Sequence, residues 1–285
     1  MGLRVNSNVA SVNAQRNLVN STTNLQRSLQ RLSSGLRITR ASDDAAGLAI
    51  SEGFRADVRS LTQAQRNAND GISYLQIGEG ALNEVSGILI RQRELAIQAA
   101  NGTLGSEERT TIDNEFQDLI SEINRIAAVT QFNGATILQS GAATVFQIGV
   151  DATSNDRISV NAVDARASSI GLATTTVTSG ASSTAYAAVT TVTGARNALA
   201  LLDSAISQVA SLRASFGTVQ NRLESAIRSL AVAVENTSAA ESRIRDVDFA
   251  SETAELTRNQ VLQQAGISVL AQANVSTQSA LQLLQ

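Results

Sequence analysis

Apolar residues recur at steps of three and four near both ends of this chain and lose that rhythm in the middle. Leu18, Leu25, Leu29, Leu32 and Leu36 step by seven, four, three and four, which puts them on one face of a helix. Ser33-Ser34-Gly35 interrupts that face, and the polar stretch from Arg37 to Asp44 reads as a connector. Its last residues, Ser42, Asp43 and Asp44, suit the cap and first turn of a following helix. That second helix is predicted from about Ala45 to Ala100, with Ile72, Leu75, Leu82, Val85 and Leu89 on one face. Asn101-Gly102 and Gly105 then mark a turn. Ser106-Glu107-Glu108 opens a third helix whose Ile112, Phe116, Leu119, Ile123 and Ile126 form the cleanest heptad in the chain.

After Thr130 the period changes. Asn133-Gly134 marks a turn, and Val145, Phe146, Ile148 and Val150, followed across Asn155-Asp156 by Ile158, Val160 and Val163, predict two short strands in a hairpin. From Thr174 to Thr193 the chain is mostly Thr, Ser, Ala, Val and Gly without a helical period, a surface excursion with room for another strand pair. Helical spacing resumes at about Ala195 and holds from Leu199 to Val234. A polar break is expected near Asn236 to Asp248, and a last helix from about Phe249 to the end. A helical stripe with nothing local to cover it must be buried against another helix, so the two ends need each other or other copies of the chain. The reading is a mainly α protein: a long antiparallel coiled-coil bundle built by the N- and C-terminal segments, with a small central β-hairpin region and both termini at one end of a rod.

Composition supports long helices and restricts chemistry. A chain of 285 residues at the usual proline frequency would hold roughly 14; this one holds none, so nothing interrupts a helix by removing its donor. Aromatic residues make up only 3%, so the cores must be aliphatic and thin, as in helical bundles. There is no Cys and no His, which removes thiolate nucleophiles, disulfides, most zinc sites and the commonest acid-base group. No enzyme activity and no cofactor are expected. All 22 basic residues are Arg, either a lineage bias or a choice of the planar guanidinium fork for interfaces. A net charge of −3 without a basic run argues against nucleic acid and against an anionic membrane surface as partners. Met1 to Gln15 lacks the apolar core of a signal peptide, and no stretch approaches the roughly 18 apolar residues of a membrane span.

Weaker signals have bland explanations. Gly78-Glu79-Gly80 resembles the start of a phosphate-binding glycine motif, but no strand precedes it and position 83 is Asn. Asp43-Asp44 favours a helix start without any catalytic role. Asp151, Asn155 and Asp156 lack the glycine and distal glutamate of a helix-loop-helix calcium site, so a hairpin turn is preferred. The Asn-x-Ser/Thr triplets at Asn20, Asn101, Asn236 and Asn274 carry no claim.

Longer motifs are more specific. Leu32-Ser33-Ser34-Gly35-Leu36-Arg37-Ile38 followed by Asp43-Asp44-Ala45-Ala46-Gly47-Leu48-Ala49-Ile50 resembles the N-terminal signature of bacterial flagellins. So do Thr130-Gln131-Phe132-Asn133-Gly134, Arg243-Ile244-Arg245-Asp246, Gln264-Ala265-Gly266-Ile267-Ser268 and Leu270-Ala271-Gln272-Ala273-Asn274. The resemblance covers roughly residues 1 to 165 and 194 to 285 in the right order, leaving out the centre.

The resemblance implies a structural subunit that polymerises helically into a flagellar filament, secreted without a cleaved signal peptide to form an extracellular filament. It implies a terminal domain, 1–44 with 240–285, that lines the filament channel. A rod-like helical domain with a β-hairpin, 45–165 with 194–239, and a short exposed segment, 166–193, would complete the chain. The implied partners are other copies, an export chaperone and export apparatus, and the filament cap and hook-associated proteins. Leu18, Leu25, Leu29, Leu32, Leu36, Leu270, Leu281 and Leu284 are the residues expected to carry self-assembly. By likeness to flagellins sensed by an animal Toll-like receptor, Arg91, Leu95 and Glu122 match the receptor-contact positions; this chain departs from that pattern at Ile90 and Gln92. Two alternatives share the plan, a hook-filament junction protein and a glycan-presenting adhesive filament subunit. A protease carried in the centre would need a His-Glu-x-x-His zinc motif that a chain without His cannot supply.

Overall fold

The computed structural model describes residues 8–139, 143–161, 163–178 and 181–282. Helices α1 (Val9–Ser34), α2 (Ala45–Ala99) and α3 (Ser106–Val129) are followed by β1 (Gln131–Phe132), β2 (Ala135–Thr136), β3 (Thr144–Gln147) and β4 (Arg157–Val160). Then come β5 (Ala173–Thr178), β6 (Ala181–Tyr186), α4 (Val192–Arg245) and α5 (Phe249–Gln282). The chain forms two compact units, one of residues 1–58 with 235–285 and the other of residues 59–234.

In the first unit, α1 and α5 pack antiparallel. Asn8 donates from Nδ2 to the Ala273 carbonyl at 3.0 Å, and near the other end of α1 the Arg31 guanidinium lies 3.6 Å from Glu252. Asn8 also starts α1, its Oδ1 accepting from the Ser11 N–H at 3.1 Å, which is why the helix begins well before Leu18. Gly35 ends it in the left-handed conformation (φ 72°), its N–H donating to Arg31 O. The connector then turns around Asp43, which accepts from the N–H groups of Thr39 and Arg40, and Asp44 caps α2 by accepting from the Gly47 N–H at 2.8 Å. The sequence reading of this connector holds.

The second unit is built on α2 residues from 59 onward, α3, and α4 residues up to 234. Helix α2 runs antiparallel to both others: Gln92 meets Phe116, while Arg93 meets Asp203 and Gly78 meets Phe216. Leu75, Leu82, Val85 and Leu89 from α2, Phe116, Ile120 and Ile123 from α3, and Leu202, Val209, Phe216 and Leu223 from α4 form one core, as the stripes predict. The α2–α3 turn is held by Arg109, which donates to the carbonyls of Ala99 (2.9 Å) and Asn101 (2.8 Å) at the end of α2.

Strands β1 and β2 pair across Asn133-Gly134, both with positive φ (49° and 81°), the geometry a two-residue hairpin requires. Strands β3 and β4 form the expected hairpin, in register Thr144↔Val160 to Gln147↔Arg157. Tyr74 of α2 holds both pairs edge-on, against Phe132 at 5.9 Å and Phe146 at 5.7 Å between ring centroids; each such contact contributes about 0.5–1.5 kcal/mol beyond burial. β5 and β6 form a further antiparallel pair. The loops around them are tied to α3, where Asn124 accepts from the Ala167 N–H, Asp113 accepts from the Val189 N–H, and Gln117 donates to Ala187 O.

One boundary differs from the sequence reading. The polar stretch from Asn236 is helical as far as Arg245, and the only interruption is Asp246-Val247-Asp248. Glu235, Ala239, Ala240 and Glu241 are good helix formers and neither Gly nor Pro intervenes, so polarity alone does not end the helix.

Candidate assembly surface

The seam between α1 and α5 is made of small and polar residues as much as of leucine. On α1 the covered positions are Ser11, Ala14, Leu18, Ser21, Leu25, Ser28 and Leu32, stepping by three and four. On α5 they are Glu252, Leu256, Asn259, Gln263, Gly266, Leu270 and Ala273, with the same steps. This is a heptad on each helix. Gly266 faces Leu18, and Ser11 donates from its hydroxyl to Asn274 Oδ1 at 3.3 Å. Of the leucines expected to carry assembly, Leu18, Leu25, Leu32 and Leu270 are half-buried in this seam, Leu36 is half-buried where the connector bridges Asp246, and Leu29 is 49% exposed. Leu281 lies in α5 and its side chain is not among those described; Leu284 lies outside the described residues.

The outward faces carry what the seam does not. Val9, Val12, Val19 and Leu29 on α1, and Phe249, Val261, Leu262, Ile267, Val269 and Val275 on α5, are each between 49% and 63% exposed. Apolar residues therefore occur on all sides of α5, and among the described residues only one side is covered. A helix hydrophobic all round belongs in an interior. Beside the seam, Leu18, Leu262, Gly266 and Val269 floor a groove of about 410 Å³ edged by Asn17, Asn20, Asn24 and Asn259. A leucine-only stripe misses this arrangement; the three-four spacing of Ser11, Ala14, Ser21 and Ser28 among the leucines is the signal that finds it.

In the second unit Arg91 is exposed and donates to Glu115 at 2.9 Å and to Glu94 at 3.0 Å. Its bond to Glu94, then that to Glu115, holds the guanidinium above its ordinary value. Glu122 accepts from Arg125 at 2.6 Å, which lowers the carboxyl below its ordinary value. Leu95 is 2% exposed and packs in the core. Gln92, on the same helix, is fully buried; its Nε2 donates to Phe116 O at 3.1 Å while Oε1 has no partner.

Among the described residues no cluster of acidic side chains could hold a metal ion, and no helix is long and apolar enough to cross a membrane. Gly78-Glu79-Gly80 lies within the uninterrupted α2.

Comparison with known proteins gives the family of the chain. Residues 5–143 match the bacterial flagellin N-terminal helical region and residues 199–284 the bacterial flagellin C-terminal helical region. Over 282 residues the chain is 45% identical to a flagellin of Halalkalibacterium halodurans, covering 99% of both chains. It is 42% identical over 290 residues to the flagellar filament 30.7 kDa core protein of Treponema maltophilum, covering 98% of this chain and 99% of that one. A crystal structure of Bacillus cereus flagellin aligns with 58% of this chain and 88% of its own, at 32% identity and a TM-score of 0.47.

Proposed function

This chain belongs to the bacterial flagellin family, a structural and non-enzymatic subunit of the extracellular flagellar filament, and we propose that its outward α1 and α5 faces are the surfaces that neighbouring copies cover when it polymerises. The observation that carries this reading is the set of exposed apolar residues on both helices, valines and Leu29 on α1 and Phe249, Val261, Leu262, Ile267, Val269 and Val275 on α5, left outside a seam that is small and polar as much as leucine. Contacts that repeat without closing into a ring generate a helical polymer. Ordering of the ends is completed by burial against neighbours, so the free subunit holds them loosely.

On this proposal residues 1–44 with 240–285 line the channel and 45–165 with 194–239 form the rod-like layer; of 166–193, Ala167, Ile170, Leu172, Ala187 and Val189 are buried in the core of the second unit, so the outward part is the β5–β6 pair. Leu18, Leu25, Leu32 and Leu270 join α1 to α5, Leu36 ties the α1–α2 connector to the α4–α5 turn, Leu29 faces a neighbour, and Leu281 and Leu284 extend the stripe of α5. Export through the flagellar export apparatus, with a chaperone on the C-terminal segment, suits a chain whose α1 and α5 faces are uncovered until assembly. Growth then takes place between hook-associated proteins and a tip cap. The hook-filament junction and glycan-presenting readings are not favoured beside full-length relatives that are flagellins and filament core proteins. The test is electron microscopy of heat-depolymerised protein cooled with short filament seeds. Long filaments growing from the seeds are expected, and persistent monomers under permissive salt would overturn the reading.

A receptor contact belongs to the same proposal. Arg91 and Glu122 present charged groups on neighbouring helices, whereas Leu95, which the resemblance names as a contact, is 2% exposed in the core and offers a receptor no surface. A Toll-like receptor reporter assay should respond to monomer and lose response with Arg91→Ala; no response to wild-type monomer would remove the contact.

A further inference from the structure

Where the α1–α2 connector meets the α4–α5 turn, the first unit is closed by a clasp whose cations are all guanidinium groups. Leu36 and Asp246 form an antiparallel bridge: the Arg37 N–H donates to Arg245 O at 2.7 Å and the Val247 N–H to Gly35 O at 3.0 Å. The Arg37 guanidinium donates through both Nε (3.2 Å) and Nη2 (2.7 Å) to the Ile244 carbonyl at the end of α4. Arg245 Nη1 donates to Glu52 of α2 at 2.8 Å, its side chain only 18% exposed, and Arg31 reaches Glu252 of α5 with 25% and 11% exposure. Other charged groups beside the clasp include Arg55, 3.5 Å from Glu52, Asp43 with Arg40 in the connector, Arg27 and Glu255 beside Arg31 and Glu252, and Asp246 in the α4–α5 turn.

We propose that this clasp is built to hold the terminal helix pair closed in strongly alkaline surroundings, so that the filament persists at a pH where a lysine-based clasp would open. The argument joins position to chemistry. Carboxylates are fully ionised above about pH 6, and a guanidinium keeps its proton beyond about pH 12. An ammonium has an ordinary pKa of about 10.4, and partial burial lowers it further. It also lacks the planar fork that gives one carbonyl two donors. A lysine clasp would contribute stability below its pKa and lose it as pH rises through that value. The rest of the chain is consistent with the same demand, since it has no Lys, His or Cys, and its two tyrosines, Tyr74 and Tyr186, lie in the second unit.

The inference rests on the filament reading, and the experiment separates the two. Seeded filaments of wild type, of Arg37→Lys/Arg245→Lys, and of the exposed control Arg228→Lys are grown at pH 7, held between pH 7 and 11, and sedimented. Failure of wild type to grow at pH 7 would count against the filament reading. Given growth, wild type and Arg228→Lys should stay in the pellet to about pH 11, while the double variant releases subunit at least about one pH unit lower. A double variant that tracks wild type, or wild type that dissolves by about pH 9, overturns the proposal. If the double variant does not grow, far-UV circular dichroism of the soluble subunits reads the same comparison. There, a thermal midpoint that falls no earlier in pH than that of wild type overturns it.

Discussion

Replacing Gly78 by Ala isolates a packing constraint that helix preference alone would misjudge. Both Gly78 and Gly80 lie in the interior of α2, where Ala is favoured over Gly by about 1 kcal/mol. A methyl at Gly80 meets nothing within 4 Å, but at Gly78 it would stand 2.6 Å from Cε2 of Phe216 and 3.1 Å from Cγ2 of Ile137. Phe216 is 0% and Ile137 1% exposed, so neither has free space into which to turn. Overpacking of this kind costs about 1–3 kcal/mol. The net expectation is a gain of about 1 kcal/mol for Gly80→Ala and a loss of about 0–2 kcal/mol for Gly78→Ala, a separation of about 1–3 kcal/mol. At about 2–4 °C per kcal/mol for a chain of this size, thermal unfolding followed by circular dichroism should rise by a few degrees for Gly80→Ala and fall for Gly78→Ala. Equal midpoints for the two variants would refute the close approach of α4 to α2 at Gly78.

Gln92→Leu removes a buried acceptor with no partner at the cost of one hydrogen bond to Phe116 O, and should stabilise the subunit by about 1 kcal/mol; a lower urea midpoint would contradict that. The Asp164 carboxyl, held at about 2 chiefly by the hydrogen bond from Arg166, contributes stability that is present above its ordinary value of 3.8 and lost as pH falls through about 2. The Asp164 carboxyl resonance in NMR should therefore titrate near 2 in the folded subunit, and a midpoint near 3.8 would argue against the pair. Removing residues 281–285 should slow seeded filament growth by shortening the apolar stripe of α5, and an unchanged elongation rate would count against pairing of the chain ends in assembly.

Much of this architecture is legible in the sequence because the second unit buries large aliphatic residues at regular spacing. Ile112, Phe116 and Ile123 announce α3, and Asn133-Gly134 announces the turn between β1 and β2. The first unit is harder to read. Its seam mixes leucines with Ser11, Ala14, Ser28 and Gly266, which carry little hydrophobic signal, while apolar residues such as Val12, Val19 and Val261 face outward and look like a core stripe. Gly78-Glu79-Gly80 looks like a loop motif because sequence does not reveal that Phe216, far away in the chain, needs the space over Gly78. The clasp is invisible for a similar reason: Arg37, Arg245 and Glu52 become neighbours only when the connectors meet.

The thin seam between α1 and α5 has a thermodynamic corollary. Small side chains such as Ser11, Ala14 and Gly266 bury little apolar area, so the helix pair gains little from closing on itself. On the proposal above, its exposed valines and leucines are left for other copies to cover. The melting of the chain ends is then a property of the solution rather than of the molecule, and shifts with protein concentration as it does for obligate oligomers. If neighbouring copies cover the outward faces, there is a threshold concentration above which each added subunit is ordered by the contacts that retain it.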